Sequence, residues 1–173
     1  MLIRPVLESE LALLREISIR TFEEAFGAQN NPSDLELFFA ESRSMERFRE
    51  EFKDPNSYFF FAEVEGVVAG YIKVNYEGSQ TEEFDESSLE LERIYVDASF
   101  QGKGVGHAMI EHFEQIGRDA RVEMIWLGVW KKNPKAIEFY QRHGYEVFGE
   151  HNYLLGTDLQ SDYLMKKVLH PVK

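Results

Sequence analysis

The sequence predicts an α/β (α+β) fold in which helices flank one mixed, mostly antiparallel central sheet of about seven strands. Three observations predict it: an early pair of strand patterns around a tight turn, later helical patterns that alternate with strand patterns, and a length of 173 residues, which suits a single core. Hydrophobic residues make up 43% of the chain, which is enough for a packed interior. We therefore expect one domain that covers 1–173, without internal repeats.

The first half of the chain is predicted to form an edge strand, three helices and a hairpin. Pro5 limits the first strand to a sheet edge, because proline cannot donate a hydrogen bond to a ladder. Apolar residues at helical spacing predict the helices, and two strand patterns around Glu65-Gly66 predict the hairpin. The predicted ranges are a strand at 2–6, helices at 8–26, at 33–40 with Ser33 or Asp34 as the cap, and from Ser44 to Asp54-Pro55, and strands at 58–64 and 67–76.

The second half is predicted to alternate strands and helices after an acidic, turn-rich loop at 77–88. Asn133 and Pro134 suit the start of the last helix, as its cap and its first residue. Gly144 is a natural stop, because glycine accepts the left-handed conformation that ends many helices. The predicted ranges are strands at 89–96, 121–130, 145–150 and 162–168, and helices from about 104 to 118 and from 133 to 143.

The strand at 89–96 changes its apolar pattern part-way along. Apolar residues fall at odd positions up to Leu91 and at even positions from Ile94 onward. One extra residue near Glu92-Arg93, a β-bulge, would shift the alternation by one and redirect the side chains that follow. A strand buried on both faces is the alternative, and we favour the bulge.

Three glycines lie where the helix after this strand begins, in the run QGKGVG from Gln101 to Gly106. The spacing G-x-G-x-G does not fit a Rossmann fingerprint or a P-loop. The first N–H groups of a helix are unpaired and carry the positive end of its dipole, and glycines leave that backbone open to a ligand. Lys103 adds a positive charge. The segment predicts an anion site for a phosphate or pyrophosphate, with a purely structural turn as the alternative.

Two segments together resemble motifs of the GCN5-related N-acetyltransferases (GNAT). The glycine segment resembles the motif Q/R-x-x-G-x-G/A, and the segment from Asn133 to Tyr145 resembles N-x-x-A-x-x-F/Y-Y-x-x-x-G-F/Y, with Ala136 and Tyr140 in register. The two motifs occur in the family's order. The resemblance is strong over about 89–145.

The resemblance implies acetyl-CoA as co-substrate and a central strand pair that is bulged and splayed. The loop amides would hold the pyrophosphate, and the pantetheine arm would enter the gap and pair with the backbone of Ile94 and Val96. Asn133 would contact the arm, and Tyr140 would lie near the thioester sulfur. The implied cofactor-binding residues are Ile94, Tyr95, Val96, Gln101, Gly102, Lys103, Gly104, Val105, Gly106, His107, Asn133, Ala136 and Tyr140.

Acetyl transfer to an amine requires a neutral amine, a stabilised oxyanion and a proton for the departing thiolate. Tyr140 is the candidate acid, because a phenol with a pKa of about 10 is protonated at neutral pH; a core tyrosine is the alternative. A backbone N–H at Ile94 or Val96 is the expected oxyanion donor. The family often uses a strand glutamate as base, directly or through water, and we rank Glu92 first and Glu90 second. The alternatives are that both are solvated strand residues, or that Glu92 pairs with Arg93.

Metal chemistry is not predicted. The chain has no cysteine, so neither a disulfide nor a thiolate metal site can form. The histidines at His107, His112, His143 and His151 lack metal-ligand spacing, and we interpret them as surface or cap residues.

The charge balance argues for a cationic partner. The formal net charge is −12, with 31 acidic and 19 basic residues, so the surface repels phosphate backbones and nucleic acid is not expected. Improved solubility is the alternative explanation. The N-terminus MLIRPVLESE has no signal-peptide core, and no apolar run approaches the ~18 residues that a membrane span needs, so we expect a soluble, cytoplasmic protein.

The predicted acceptor is a small primary amine. The segments 21–39 and 149–167 resemble the PaiA-type branch of spermidine/spermine acetyltransferases, and the acidic loop Glu82, Glu83, Asp85 and Glu86 agrees with a polycation such as spermidine or spermine. A protein N-terminal or lysine acetyltransferase is one alternative, and an acyl-CoA-binding regulator with little turnover is another. Dimers are common in the family, so a homodimer is a further expectation left open.

Overall fold

The computed structural model describes residues 1–169. The strands are β1 (Leu2–Pro5), β2 (Ser57–Val64), β3 (Val67–Tyr76), β4 (Ser88–Val96), β5 (Met124–Trp130), β6 (Glu146–Leu155) and β7 (Asp158–Val168). The α-helices are α1 (Leu11–Phe26), α2 (Pro32–Ser42), α3 (Met45–Lys53), α4 (Val105–Asp119) and α5 (Pro134–Arg142).

All seven strands form one sheet in the order β1-β2-β3-β4-β5-β7-β6. Neighbouring strands run antiparallel except β4 and β5, which are parallel because α4 connects them. The predicted fold class, a mostly antiparallel mixed sheet flanked by helices, is therefore confirmed.

Helices cover both faces of the central strands. On one face, Phe48 of α3 packs with Phe61 of β2 and Tyr71 of β3 in a buried cluster that α1 completes. On the other face, Met109 of α4 joins Ile72 of β3 in the main core. Consecutive residues of β3 thus serve opposite faces, as the two-residue period of a strand requires.

The bulge predicted in β4 is confirmed. Lys73 of β3 pairs with Arg93, but the next residue, Val74, pairs with Leu91, so Glu92 is the extra residue. On its other side, β4 pairs with β5 only as far as Leu91. The two parallel strands separate from that point onward, and the bulge therefore lies where the gap between them opens.

The predicted start of α2 is wrong. Asn31, rather than Ser33 or Asp34, is the N-cap, and its Oδ1 accepts the N–H of Ser33 at 2.8 Å. Pro32 then takes the first helical position, where a missing N–H costs nothing. The helix also continues past Ala40.

The last three strand predictions need correction. β5 begins at Met124 and not at Arg121, because Arg121 has a φ of 56° and forms a turn. The final hairpin is longer than predicted, since β6 and β7 continue to a turn at Gly156, whose φ is 62°. Polar residues such as His151 and Asn152 hide the strand pattern there, because β6 is an edge strand and buries little.

The tip of this hairpin is fixed against α2. A Cβ on Gly156 would lie 2.5 Å from the Cα of Asp34, so only glycine permits this approach. The Asp34 carboxylate accepts hydrogen bonds from the N–H and the hydroxyl of Thr157 at 2.8 and 2.6 Å. These contacts fix the tip of the β6–β7 hairpin to α2.

Candidate functional site

The glycine segment forms an open cradle at the start of α4. Gly102 and Gly104 have φ values of 76° and 81°, and no atom lies within 4 Å of a Cβ placed on either residue. Gly104 is the N-cap, and no side chain caps the first N–H groups of the helix. The cradle therefore offers unpaired N–H donors and the positive end of the helix dipole to an anion.

The cradle meets the end of the bulged strand. A Cβ on Gly106 would lie 3.8 Å from Cγ2 of Val96 and 3.6 Å from Cζ of Phe139 on α5. The side-chain amide of Gln101 donates to the carbonyl of Val96 at 3.3 Å. Since β4 has no β5 partner here, its edge, the cradle and α5 enclose one end of the gap.

Helix α5 brings Tyr140 into this region. Asn133 is the N-cap, as predicted, and its Oδ1 accepts the N–H of Ala136 at 3.2 Å. Tyr140 is 7% exposed, and its ring lies 6.1 Å from that of Tyr145. Burial raises the pKa of the Tyr140 phenol above its ordinary value, so the hydroxyl is protonated at neutral pH and can donate a proton.

A cavity that we call the charged pocket has a volume of about 420 Å³. It lies where α1–α3, β4, β5, the loop before β4 and the β6–β7 hairpin meet. Its lining residues are Phe22, Phe26, Phe38, Ser42, Arg43, Arg47, Glu51, Thr81, Glu82, Glu90, Glu92, Arg93, Tyr95, Gly128, His151, Asn152, Tyr153 and Asp162. Glu90, Glu92 and Tyr95 of β4 thus face the pocket, whereas Ile94 and Val96 pack toward α4.

The two candidate bases have different surroundings. Asn75 donates to Glu90 at 3.0 Å and to Glu92 at 3.2 Å, and so links them. Glu90 also accepts the N–H of Thr81 at 2.8 Å, and burial raises its pKa. Glu92 forms an ion pair with Lys73. The two carboxylates therefore differ in how readily they take up a proton.

A buried network of charged side chains lines part of the charged pocket. Arg93 donates to both oxygens of Glu51, at 3.0 and 2.7 Å. Glu51 also contacts Lys73 at 3.4 Å and Arg47 at 3.3 Å, and it is 7% exposed. Three cations therefore share one buried carboxylate.

The sequence predicts that His151 is a surface or cap residue, but in the structure it lines the charged pocket. It is half-buried in the charged pocket, with Nδ1 3.0 Å from Glu82 and Nε2 3.3 Å from Asp162. Its hydrogen bond with Asp162 is the main cause of a pKa above the ordinary histidine value. A Cβ on Gly128 would lie 3.3 Å from Nε2 of His151, so a larger residue there would enter the pocket.

The other histidines lie away from the charged pocket. His143 is the C-cap of α5, as predicted, and its ring lies 2.7 Å from that of the exposed His107. His112 packs against Phe60, and burial lowers its pKa. Within residues 1–169, no three His, Asp or Glu side chains are grouped in a way that could hold a metal ion.

The pKa of Glu92 makes a testable contribution to stability. Burial raises this pKa, but the charges of Arg93 and Lys73 outweigh burial and hold it at about 2, below the usual 4.5. A lowered folded-state pKa stabilises the fold above the unfolded pKa, and that contribution is lost as the pH falls from about 4.5 toward 2. In urea unfolding, we expect wild type to be more stable than Glu92→Gln near pH 7, with the difference shrinking below about pH 4.5. A difference that grows on acidification would contradict this.

The bulged strand, the splayed gap and the glycine cradle are the features that the GNAT resemblance implies for an acyltransferase that uses a CoA thioester. The chain belongs to the acetyltransferase (GNAT) family, whose family model matches residues 14–145.

Relatives with known sequences or structures agree with this assignment. The chain is 40% identical over 164 residues to an uncharacterized N-acetyltransferase of Lactobacillus delbrueckii subsp. lactis, which covers 95% of both chains. It is 30% identical over 90 residues to the spermine/spermidine N(1)-acetyltransferase of Bacillus subtilis, covering 50% of this chain and 57% of that protein. Its fold is similar to that of the PaiA N-acetyltransferase of Thermoplasma acidophilum in complex with coenzyme A, with a TM-score of 0.78, 20% identity and coverage of 97% and 98%.

The protein is therefore an N-acetyltransferase, and acetyl-CoA is its acetyl donor. The open N–H groups at the start of α4 and the unpaired edge of β4 fit this donor, because they can receive its pyrophosphate and its pantetheine arm. Among residues 1–169, none of the helices has the length and apolar character that a membrane span requires.

Proposed function

We propose that this enzyme transfers the acetyl group of acetyl-CoA to the primary amine of a small acceptor that binds in the charged pocket. One observation carries the proposal. Strand β4 ends at the cradle, and its Glu90 and Glu92 side chains line the charged pocket, while the bulge at Glu92 turns the residues that follow it. Donor and acceptor can therefore approach the same gap from two directions.

The donor side consists of residues with separate tasks. The N–H groups at Gly104, Val105 and Gly106 would bind the pyrophosphate, with His107 on the first turn and Lys103 as a nearby charge. The backbone of Ile94 and Val96 would pair with the pantetheine arm. Remaining contacts are proposed for Tyr95, Gln101, Gly102, Asn133 and Ala136.

Gly104→Ala tests the cradle. Alanine is strained at a φ of 81°, and the added methyl would project into the open space above the helix start. We expect the KM for acetyl-CoA to rise by about tenfold, corresponding to ~1.4 kcal/mol, with a smaller change in kcat. Gly78→Ala is the control, because Gly78 also has free space around a Cβ but lacks the positive φ and lies outside the cradle. An unchanged KM for acetyl-CoA in Gly104→Ala would argue against the cradle as the anion site.

Tyr140 is the proposed general acid. It is buried beside Phe139 of α5, and its hydroxyl is protonated at neutral pH and so has a proton for the departing thiolate. The N–H of Ile94 or Val96 is the proposed donor to the oxyanion, because backbone donors on a fixed strand need little reorganisation.

Glu90 is better suited than Glu92 to be the base. An ammonium holds its proton strongly, so a carboxylate with a raised pKa accepts it more readily than one held at about 2. Lys73 already pairs with Glu92. We therefore propose that Glu90 takes the proton, directly or through water, while Glu92 supplies negative charge near the amine.

The carboxylates of the pocket favour a cationic acceptor. Glu82 and Asp162 face the pocket with Glu90 and Glu92, and an ammonium group would be attracted by all four. Of the predicted acidic loop, Glu82 lines the pocket, whereas Glu83, Asp85 and Glu86 are exposed. A polyamine is the first acceptor to test, since the Bacillus subtilis relative is a spermine/spermidine enzyme.

A protein acceptor is the second candidate. The fold is also similar to that of the ribosomal-protein-S18-alanine N-acetyltransferase of Escherichia coli, with a TM-score of 0.73 and 18% identity. A protein α-amine or lysine would need a groove that admits a backbone, whereas the charged pocket is a cavity lined by residues of helices, strands and a loop. A small-molecule acceptor therefore fits it better. We also propose that the enzyme is cytoplasmic and forms a homodimer.

An amine panel tests the proposal. The purified protein is mixed with acetyl-CoA and with spermidine, spermine, amino acids, simple amines or lysine-containing peptides, and thiol release and the acetylated product are followed. We expect turnover with small primary amines. Turnover with peptides alone would contradict the small acceptor, and binding of acetyl-CoA without turnover on any amine would favour a regulator.

A further inference from the structure

We propose that Arg43 forms an anion subsite in the charged pocket, so that the acceptor carries a carboxylate as well as its amine. This inference rests on the proposed function and narrows its acceptor class. It follows from the surroundings of one buried cation.

Arg43 is almost fully buried at the end of α2. It is 5% exposed, and it lines the charged pocket. Its guanidinium lies 5.1 Å from the ring of Phe38 and 5.9 Å from that of Phe22, and Nη1 donates to the carbonyl of Ser42 at 3.1 Å. Its Nε is buried without a hydrogen-bond partner.

The charge of Arg43 also lacks a partner. Arg47 and Arg93, the other arginines of the pocket, both pair with Glu51. Among residues 1–169, no carboxylate oxygen lies within 4.0 Å of Arg43. Burial and the repulsion from Arg93 lower the pKa of its guanidinium from the ordinary value. Glu51 attracts Arg43 from beyond ion-pair distance and opposes this effect only in part. A buried cation without a directly paired carboxylate is costly, and an anion in the pocket would relieve that cost.

A carboxylate matches this subsite. A guanidinium presents parallel N–H donors that fit the two oxygens of a carboxylate. The carboxylates of the same pocket, Glu90 and Glu92 with Glu82 and Asp162 beside His151, suit the amine of the acceptor. An acceptor with both groups, such as an amino acid, satisfies both the guanidinium and the carboxylates, and Phe22 and Phe38 can contact an apolar or aromatic body. A simple polyamine would leave Arg43 unpaired.

Matched pairs of acceptors test the subsite in wild type. Each pair consists of an amino acid and the amine that lacks its carboxylate: phenylalanine and phenethylamine, lysine and cadaverine, and β-alanine and ethylamine. We expect the carboxylated member of at least one pair to have the higher kcat/KM, by about 10- to 100-fold. Equal or better use of the amine in every pair would overturn the subsite. Absence of thiol release with all amines would instead overturn the proposed function.

Substitution then assigns the preference to Arg43. Arg43→Gln should remove the preference by lowering kcat/KM for the carboxylated member of the pair. The kcat/KM for the amine partner should stay within about twofold of wild type, and this unchanged activity also shows that the variant folds. Arg43→Lys should retain part of the preference, because it keeps the charge without the parallel donors. Arg49→Gln is the control, since Arg49 is exposed on α3. A preference for the carboxylated member that persists in Arg43→Gln would overturn the assignment of the subsite to Arg43. If that variant does not fold, the matched pairs measured with wild type decide whether the subsite exists.

Discussion

Replacing Tyr140 by phenylalanine is expected to lower kcat about 100-fold, the usual loss when a general acid is removed. The phenol is buried beside Phe139 and Tyr145, so the ring should stay in place without its hydroxyl. The KM for acetyl-CoA should change little, because the cradle is not altered. Steady-state rates of thiol release at saturating acetyl-CoA, with the best amine of the panel, measure the effect.

Tyr145→Phe is the matched control for this experiment. Tyr145 is also buried, and its ring lies 6.1 Å from that of Tyr140. This substitution should leave kcat within about twofold of wild type. If Tyr140→Phe retains the wild-type kcat while chemistry limits the rate, Tyr140 is not the acid.

Glu51→Gln is expected to have the largest effect on stability. The substitution removes the charge that Arg93, Lys73 and Arg47 share and leaves Arg93 buried without its bidentate partner. Breaking a buried pair in this way costs about 3 kcal/mol or more. Urea unfolding at neutral pH, analysed for the free energy of unfolding, measures the loss.

Glu50→Gln provides the comparison on the same helix. The Glu50 side chain is 60% exposed and lies 3.7 Å from Arg47, so its loss should change the free energy of unfolding by less than about 0.5 kcal/mol. Equal stabilities for the two variants would show that the buried network does not support the fold.

Features that are local in the chain could be predicted from the sequence. The change of parity between Leu91 and Ile94 predicts the bulge, because one extra residue is the simplest way to shift a two-residue period. The glycines of the cradle and the cap at Asn133 depend on neighbouring residues in the same way. The parallel pairing of β4 with β5 follows from the helix between them.

Features that depend on distant contacts were not predictable. The sequence does not indicate that Arg43 lacks an ion-pair partner. This follows from the pairing of Glu51 with three other cations, which come from α3, β3 and β4. His151 lies in the pocket because the β6–β7 pairing places it opposite Asp162 and a loop distant in the chain brings Glu82 to it. The cap at Asn31 was missed since several adjacent polar residues could serve, and only the backbone geometry separates them.

A crystal structure of the enzyme with coenzyme A and a bound amine tests the central claim most directly. We predict the pyrophosphate on the N–H groups at the start of α4, the thiol in the gap between β4 and β5 beside Tyr140, and the amine in the charged pocket near Glu90. Coenzyme A in this gap with the amine bound elsewhere would contradict the two-sided site. A thiol remote from Tyr140 would contradict the proposed chemistry.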